Sequence, residues 1–146
     1  MASNNQLKQL YDRDFNLWIE QTKQRLEERD FENVDWENLI EEIDDVGKSQ
    51  KRSLESYLEL LIAHILKLRY WEEEKKRNQK HWQVEVVNFR NRIARLLKQN
   101  PSFKSYMKQV YPDIFRDTVK SWQIEFEIED DCYIELERIL SEGYFG

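Results

Sequence analysis

Apolar residues recur at three- and four-residue steps along most of this chain, which is the spacing of one face of an α-helix. The first such segment, from Gln6 to Arg29, predicts the first helix. A charged connection follows it. Asp35 then precedes the next apolar run and is a predicted N-cap, because its carboxylate can accept hydrogen bonds from the free backbone amides of a first turn.

The second helical pattern is the longest, and it contains no proline. Its apolar stripe consists of Trp36, Leu39, Ile40, Ile43, Val46, Leu54, Tyr57, Leu58, Leu61, Ile62, Ile65 and Leu68. Gly47 lies within this stripe. Because glycine costs a helix about 1 kcal/mol relative to alanine, a close approach of another helix or a bend is expected there. An unbroken pattern predicts a helix of about 38 residues, roughly 55 Å long.

The third and fourth patterns are shorter. The polar residues 72–80 predict a helix end and a turn, so that the second and third helices form an antiparallel hairpin. The third helix is predicted over His81–Gln99, just before Asn100 and Pro101. In the fourth, Pro112 lacks the amide proton that a helix interior uses, so a kink or a split into two helices is expected near Tyr111.

The last part of the chain differs from the rest. After Trp122 the sequence QIEFEIEDDC alternates apolar and acidic residues, and a single strand would have no partner here. We therefore expect an extended segment that wraps around the bundle, followed by a short helix before Gly143. Together the patterns predict an all-α fold: an antiparallel bundle of about four to five helices with a very long second helix.

Composition supports this prediction. The 146 residues include 5 Trp, 7 Tyr and 7 Phe, which excludes a disordered chain, and only 3 Gly and 2 Pro, which disfavours a β-sandwich with its many turns. The size, with no internal repeat or linker, predicts a single helical domain over residues 1–146. The lone Cys132 indicates a reducing compartment. Without a membrane-spanning run or a signal peptide, a cytoplasmic protein with no membrane partner is expected.

Charge is unevenly distributed along the chain. The net charge is −6, yet residues 75–108 hold ten basic residues and one acid, Glu85, whereas the residues on both sides are acidic. One interpretation is internal pairing with the acidic neighbours. The other is a surface that binds nucleic acid or an acidic partner. For that surface the candidates on one side of the third helix are Lys80, Arg92, Arg95 and Lys98.

The acidic run Asp35–Asp45 and the two histidines are the candidates for a catalytic site. No His-Glu-x-x-His or Glu-x-x-His pattern is present, and two histidines are too few for an all-histidine zinc site. We therefore predict no metal ligands and no cofactor. The remaining hypothesis is a helix-borne Glu/His site, with Glu41, Glu42 and His64 as its catalytic candidates.

Spacing weighs against that hypothesis. Glu41 and His64 are 23 residues apart on one predicted helix, or roughly 34 Å, and only a sharp fold at Gly47 would unite them. His64 is interpreted as a half-buried, hydrogen-bonded core residue. Most acids of the run suit a solvated helix start, where the helix dipole favours negative charge. Glu42 differs, since it borders the apolar stripe and is expected to be partly covered and paired, for instance by an arginine.

The motifs DWENLIEEIDDVG and NPSFK are the most specific parts of a longer match. With them, the chain from about Leu10 to Leu140 resembles the bacterial family catalogued as domain of unknown function 29. The resemblance implies a compact helical domain without an assigned activity. It draws attention to residues of the first motif and to one histidine beyond it, namely Asp35, Trp36, Glu41, Glu42, Gly47 and His64.

We therefore expect a small cytoplasmic protein-interaction or regulatory module whose partner is an unknown protein or a second copy of the chain. Val84 and Val87 lie off the main stripe of the third helix and are candidates for its surface. One alternative is a metal-dependent hydrolase or nuclease that uses Glu41, Glu42 and His64. The other is nucleic-acid binding through residues 75–108.

Overall fold

The computed structural model describes residues 4–146, and over that range the chain is all-α, with no β-strand. It forms a helical bundle, as predicted. Its helices are α1 (Asn4–Arg13), α2 (Phe15–Glu27), α3 (Trp36–Tyr70), α4 (Glu72–Gln99), α5 (Phe103–Trp122) and α6 (Leu136–Ile139), with a 3-10 turn at Phe31–Asn33. The very long helix is therefore the third in the chain and not the second.

The predicted first helix is divided at Asp14. This residue has an extended backbone, with φ −150° and ψ 87°, and its carboxylate accepts a hydrogen bond from the Leu17 amide at 3.1 Å. Asp14 thus ends α1 and caps α2. The apolar spacing continues through the break, which explains why the pattern alone predicted one helix.

α3 is unbroken through Gly47 over 35 residues. A Cβ atom added at Gly47 would meet no other described atom within 4 Å. Within the described residues, no neighbouring helix therefore requires a glycine here. For the described residues, the predicted close approach of another helix of the chain is wrong, and the predicted bend at Gly47 stays a prediction.

α4 begins earlier than the sequence predicted. Residues 72–80 form its first turns, and the turn between α3 and α4 is confined to Trp71. Three glutamates lie in the first turn, where the helix dipole stabilises negative charge. Glu74 also pairs with Arg77 at 2.9 Å, one turn later. A stretch that lacks large apolar residues is helical here because its charges suit a helix start.

α5 remains one helix with Pro112 in its interior, so the predicted split does not occur. Tyr111 and Phe115 on either side of the proline are fully buried. Their packing into the core holds the helix on both sides of the missing backbone hydrogen bond, which is one way tertiary contacts override a local preference.

The described chain forms two compact units. The N-terminal unit ends at Ser49, and the C-terminal unit is Gln50–Gly146. α3 contributes residues to both units. The single domain over residues 1–146 stays a prediction.

The C-terminal unit contains a continuous apolar core from the second half of α3, from α4, α5 and the C-terminal segment. The segment between α5 and α6 has turns at residues 123–125 and 130–131 and runs without helix or strand between and after them, and it is fixed by Ile128 and Ile134, which are buried. The buried Tyr111 hydroxyl donates to the Ile134 carbonyl at 2.6 Å. This confirms the predicted extended C-terminal segment that ends in a short helix.

Arg90 of α4 fixes the chain after this segment. Its guanidinium donates to the carbonyl of Ile139, at 2.9 Å, and to the carbonyl of Tyr144.

Among the helices of residues 4–146, none combines the length and the apolar character that crossing a bilayer requires.

Candidate interaction surface

Asp35 connects the helices of the N-terminal unit. It is fully buried, immediately before α3, and its carboxylate accepts hydrogen bonds from the Asn38 amide at 3.4 Å and from the Asn38 side chain at 2.6 Å. The same carboxylate accepts a bond from the indole of Trp18 in α2, at 3.1 Å. The predicted N-cap is confirmed, whereas the second role of Asp35, as the acceptor for Trp18, could not be predicted from local sequence.

Glu42 is half-buried and faces Tyr11, whose hydroxyl donates to its carboxylate. The predicted partial burial and pairing of Glu42 are confirmed, but the partner is a tyrosine of α1 and not an arginine. The hydrogen bond to Glu42, together with burial and the negative charges of Glu41 and Asp45, raises the pKa of Tyr11 to about 12. Deprotonating Tyr11 would place a second negative charge against the carboxylate.

The ring of Tyr11 lies in a small aromatic cluster with Phe15 and Trp18, with ring centroids 5.0–5.7 Å apart. Leu7, Trp18 and Val34 are buried around it. The interior of the N-terminal unit thus forms on one side of the start of α3, the side that carries Asp35 and Glu42.

The apolar stripe at the start of α3 lies outside this interior. Ile40, Ile43 and Val46 are 63 %, 65 % and 60 % exposed, and Trp36 is also exposed. The apolar spacing puts these residues in one stripe with Leu58 and Leu61 of the same helix. In the described structure only the later part of that stripe is buried, because α1 and α2 contact the side of the helix that carries Asp35 and Glu42.

Acidic residues border the exposed stripe. Trp36, Ile40 and Ile43 are each followed directly in the sequence by an acid. We define the acidic face as Trp36, Ile40, Ile43 and Gly47 with the bordering Glu37, Glu41 and Asp44. Two of these acids form exposed pairs, Glu37 with Lys8 at 3.3 Å and Asp44 with Lys48 at 2.8 Å, and such pairs contribute only about 0–1 kcal/mol.

A groove between α2 and α3 runs beside the acidic face. Its volume is about 490 Å³, and apolar side chains make up most of its wall, with Val46 belonging to both the groove and the exposed stripe. The main wall residues are Phe15, Trp18, Ile19, Leu26, Leu39 and Val46. Thr22 is buried at the same site, and its hydroxyl has no hydrogen-bond partner among the described residues.

Each catalytic candidate has its own contacts in the described chain. Glu41 is exposed, and Glu42 binds Tyr11. His64 lies in the C-terminal unit, where its Nδ1 is 2.7 Å from the Leu60 carbonyl of its own helix and its ring contacts Phe89. Burial lowers the pKa of His64. These contacts agree with a half-buried core histidine, and a Glu/His site stays an untested prediction.

Within residues 4–146, no group of three or more His, Cys, Asp and Glu side chains has an arrangement that could hold a metal ion.

The four basic candidates for an anion- or partner-binding surface, Lys80, Arg92, Arg95 and Lys98, are all exposed on α4. Arg92 lies over the rings of Tyr57 and Phe89, at 5.7 Å and 5.4 Å. Among the described residues, Lys80, Arg95 and Lys98 form no ion pair.

The chain was also compared with known proteins. The model of the family described as Domain of unknown function DUF29 matches residues 10–145. The chain belongs to this family. No curated protein and no solved structure matches it significantly. Because membership of DUF29 carries no activity, the function has to be argued from the surfaces of this chain.

Proposed function

We propose that this DUF29 protein is a small cytoplasmic interaction module whose N-terminal unit binds an amphipathic helix of another polypeptide. One observation carries the proposal: of the thirteen large apolar residues that are exposed in the described chain, eight belong to the N-terminal unit. They are Phe15, Leu17, Ile19, Phe31, Trp36, Ile40, Ile43 and Val46. That unit is only about half as long as the C-terminal one.

Concentration of apolar residues in one region is the property that separates a binding surface from ordinary scattered exposure. The groove lined by Val46 is the concave part of this surface, and the exposed side chains of the acidic face lie next to it on α3. A helix with an apolar side suits such a groove, because its residues at steps of three and four fill it while its polar side stays in water.

Charge adds specificity to the same surface. The N-terminal unit holds thirteen acids and six basic residues, whereas the C-terminal unit is close to neutral. A partner helix that borders its apolar side with lysine or arginine is therefore attracted, and one bordered by acids is repelled. The free Cys132 agrees with a reducing compartment.

The experiment compares three purified baits in native lysate: the wild-type chain, Ile43→Asp and Ile124→Asp. Ile124 is 86 % exposed and belongs to the C-terminal unit, so the third bait carries the same chemical change away from the proposed surface. We expect at least one lysate protein to be recovered with the wild type and with Ile124→Asp but not with Ile43→Asp. Quantitative mass spectrometry measures its recovery on each bait. Equal recovery with all three baits would contradict the proposal.

A further inference from the structure

A second exposed stripe lies on α4. Lys80, Val84, Val87, Asn91, Arg95 and Lys98 follow one another at steps of three or four residues, and all six are exposed. We call them the basic face. Val84 and Val87 are apolar residues on an outer surface of α4, whereas Trp82, Val86, Phe89 and Ile93 of the same helix are buried in the core.

The basic face and the acidic face have matching spacing and opposite charge. Trp36, Ile40, Ile43 and Gly47 are separated by steps of four, three and four residues, and so are Lys80, Val84, Val87 and Asn91. Each face has β-branched apolar side chains at its centre. On α3 the acids flank the stripe, whereas on α4 Lys80 lies at one end of the stripe and Arg95 and Lys98 at the other, with the single acid Glu85 next to Val84. Two such helices can pack their apolar residues together while acids on one lie against basic residues on the other.

Gly47 supports a helix as the occupant. It continues the stripe of the acidic face, is exposed, and has open space around it among the described residues. Glycine in a helix costs about 1 kcal/mol relative to alanine, and nothing described within the chain uses the missing side chain. A partner helix packed on this face would use it, since glycine lets two helix backbones approach closely.

We infer that the acidic face of one copy of this chain binds the basic face of α4 in a second copy. The inference rests on the proposed function, because it names the occupant of the same surface. A contact between unlike faces leaves one free face on each copy, which a further copy can occupy in the same way. The opposite charges of the two faces favour the encounter.

The test uses sedimentation of the 146-residue chain and of two single variants, Ile43→Asp in the acidic face and Val87→Asp in the basic face. Both residues are exposed, so circular dichroism should show unchanged helicity. We expect the wild type to self-associate and each variant to associate at least about tenfold more weakly, because each would bury an aspartate in an apolar contact. At concentrations near the dissociation constant of the wild type, each variant alone should therefore be mainly a monomer. Ile124→Asp should associate like the wild type.

Mixing the two variants gives the decisive result. The Ile43→Asp copy keeps an intact basic face, and the Val87→Asp copy keeps an intact acidic face. A mixture should therefore form a complex of twice the 18.0 kDa mass of one chain, although each variant alone is mainly a monomer. A mixture that stays monomeric while the wild type associates would overturn the pairing of unlike faces.

Charge reversal provides a second test that leaves the apolar residues in place. Lys80→Glu with Arg95→Glu should weaken self-association, whereas Lys104→Glu with Lys108→Glu makes the same change of charge on exposed residues of α5 and should not. A wild type that is monomeric at every concentration overturns the inference. If Ile43→Asp still loses a lysate partner in that case, the proposed function stands, and the two failures are distinguishable.

Discussion

The two halves of α3 carry the same pattern in different surroundings. Eighteen residues are five turns of an α-helix, so Ile40 and Leu58 lie on one side of it, and so do Ile43 and Leu61. Ile40 and Ile43 are more than half exposed, whereas Leu58 and Leu61 are fully buried. The comparison teaches that periodicity specifies which side of a helix is apolar and says nothing about what covers that side.

What differs between the two halves is the chain around them. The second half packs against α4, α5 and the C-terminal segment, which together form one core. The first half meets α1 and α2 along Asp35 and Glu42, and this contact leaves Ile40 and Ile43 exposed. Among residues 4–146, Ile40 and Ile43 remain more than half exposed, and this exposure is the basis for proposing that another polypeptide covers them.

The largest expected effect comes from shortening Leu61 to alanine, compared with the same change at Ile43 on the same side of α3. Leu61→Ala should lower the free energy of unfolding by about 2–5 kcal/mol, because it removes buried atoms and leaves a cavity. Ile43→Ala should change it by less than about 0.5 kcal/mol, because its side chain is in water. Urea denaturation followed by circular dichroism measures both. Equal losses for the two variants would show that the first half of the stripe is covered within the chain.

The next effect concerns the link between α2 and α3. Asp35→Ala should destabilise the N-terminal unit by about 1–3 kcal/mol, since the Asn38 amide loses its cap and the buried Trp18 indole loses its acceptor. Hydrogen exchange should become faster in α1 and α2. Glu37→Ala, which removes only an exposed pair, is the control and should leave exchange unchanged. Unchanged exchange in Asp35→Ala would contradict this role.

A smaller effect is expected at Gly47. Gly47→Ala should stabilise the isolated chain by about 1 kcal/mol, because alanine favours the helix and its methyl group meets nothing described within 4 Å. Thermal unfolding monitored at low protein concentration, where association is weakest, measures the change. A loss of stability would show that the glycine is required inside the chain.

The smallest effect is a change in the titration of Tyr11. Its pKa is raised to about 12 by the hydrogen bond to Glu42, so Glu42→Gln should move it toward the ordinary value near 10. Because the pKa is raised in the folded chain, the hydrogen bond stabilises the fold fully below about pH 10, and this stabilisation disappears as the pH rises through about 12. Carbon-13 labelling of tyrosine and titration by NMR measure it. Glu41→Gln, which removes a more distant charge, should have less effect.

Much of this fold follows from local signals. The apolar spacing predicted the all-α class and the long helix, and the position of Asp35 before an apolar run predicted the cap. Glu42 could be singled out because it borders the stripe. The partner of Glu42 could not be identified, since Tyr11 is 31 residues away and no local rule brings the two together.

Other features depend on contacts that a single sequence does not display. α5 continues through Pro112 because distant residues hold Tyr111 and Phe115 in the core. The exposure of Ile40 and Ile43 depends on where α1 and α2 pack. One signal for this exposure was present in the sequence: from Glu37 to Asp45 there are five acids and no basic residue. So many charges of one sign next to an apolar stripe indicate that this part of the helix lies at the surface.

Photo-crosslinking at Ile43 tests the central claim most directly. Benzoylphenylalanine is placed at position 43 in one chain and at position 124 in another, and each is irradiated in native lysate together with unlabelled chain. We predict a discrete adduct from position 43 and none from position 124, with the adduct mapping to α4 when the captured molecule is a second copy. No adduct at position 43, or equal labelling from both positions, would contradict the claim that this half of α3 is a binding surface.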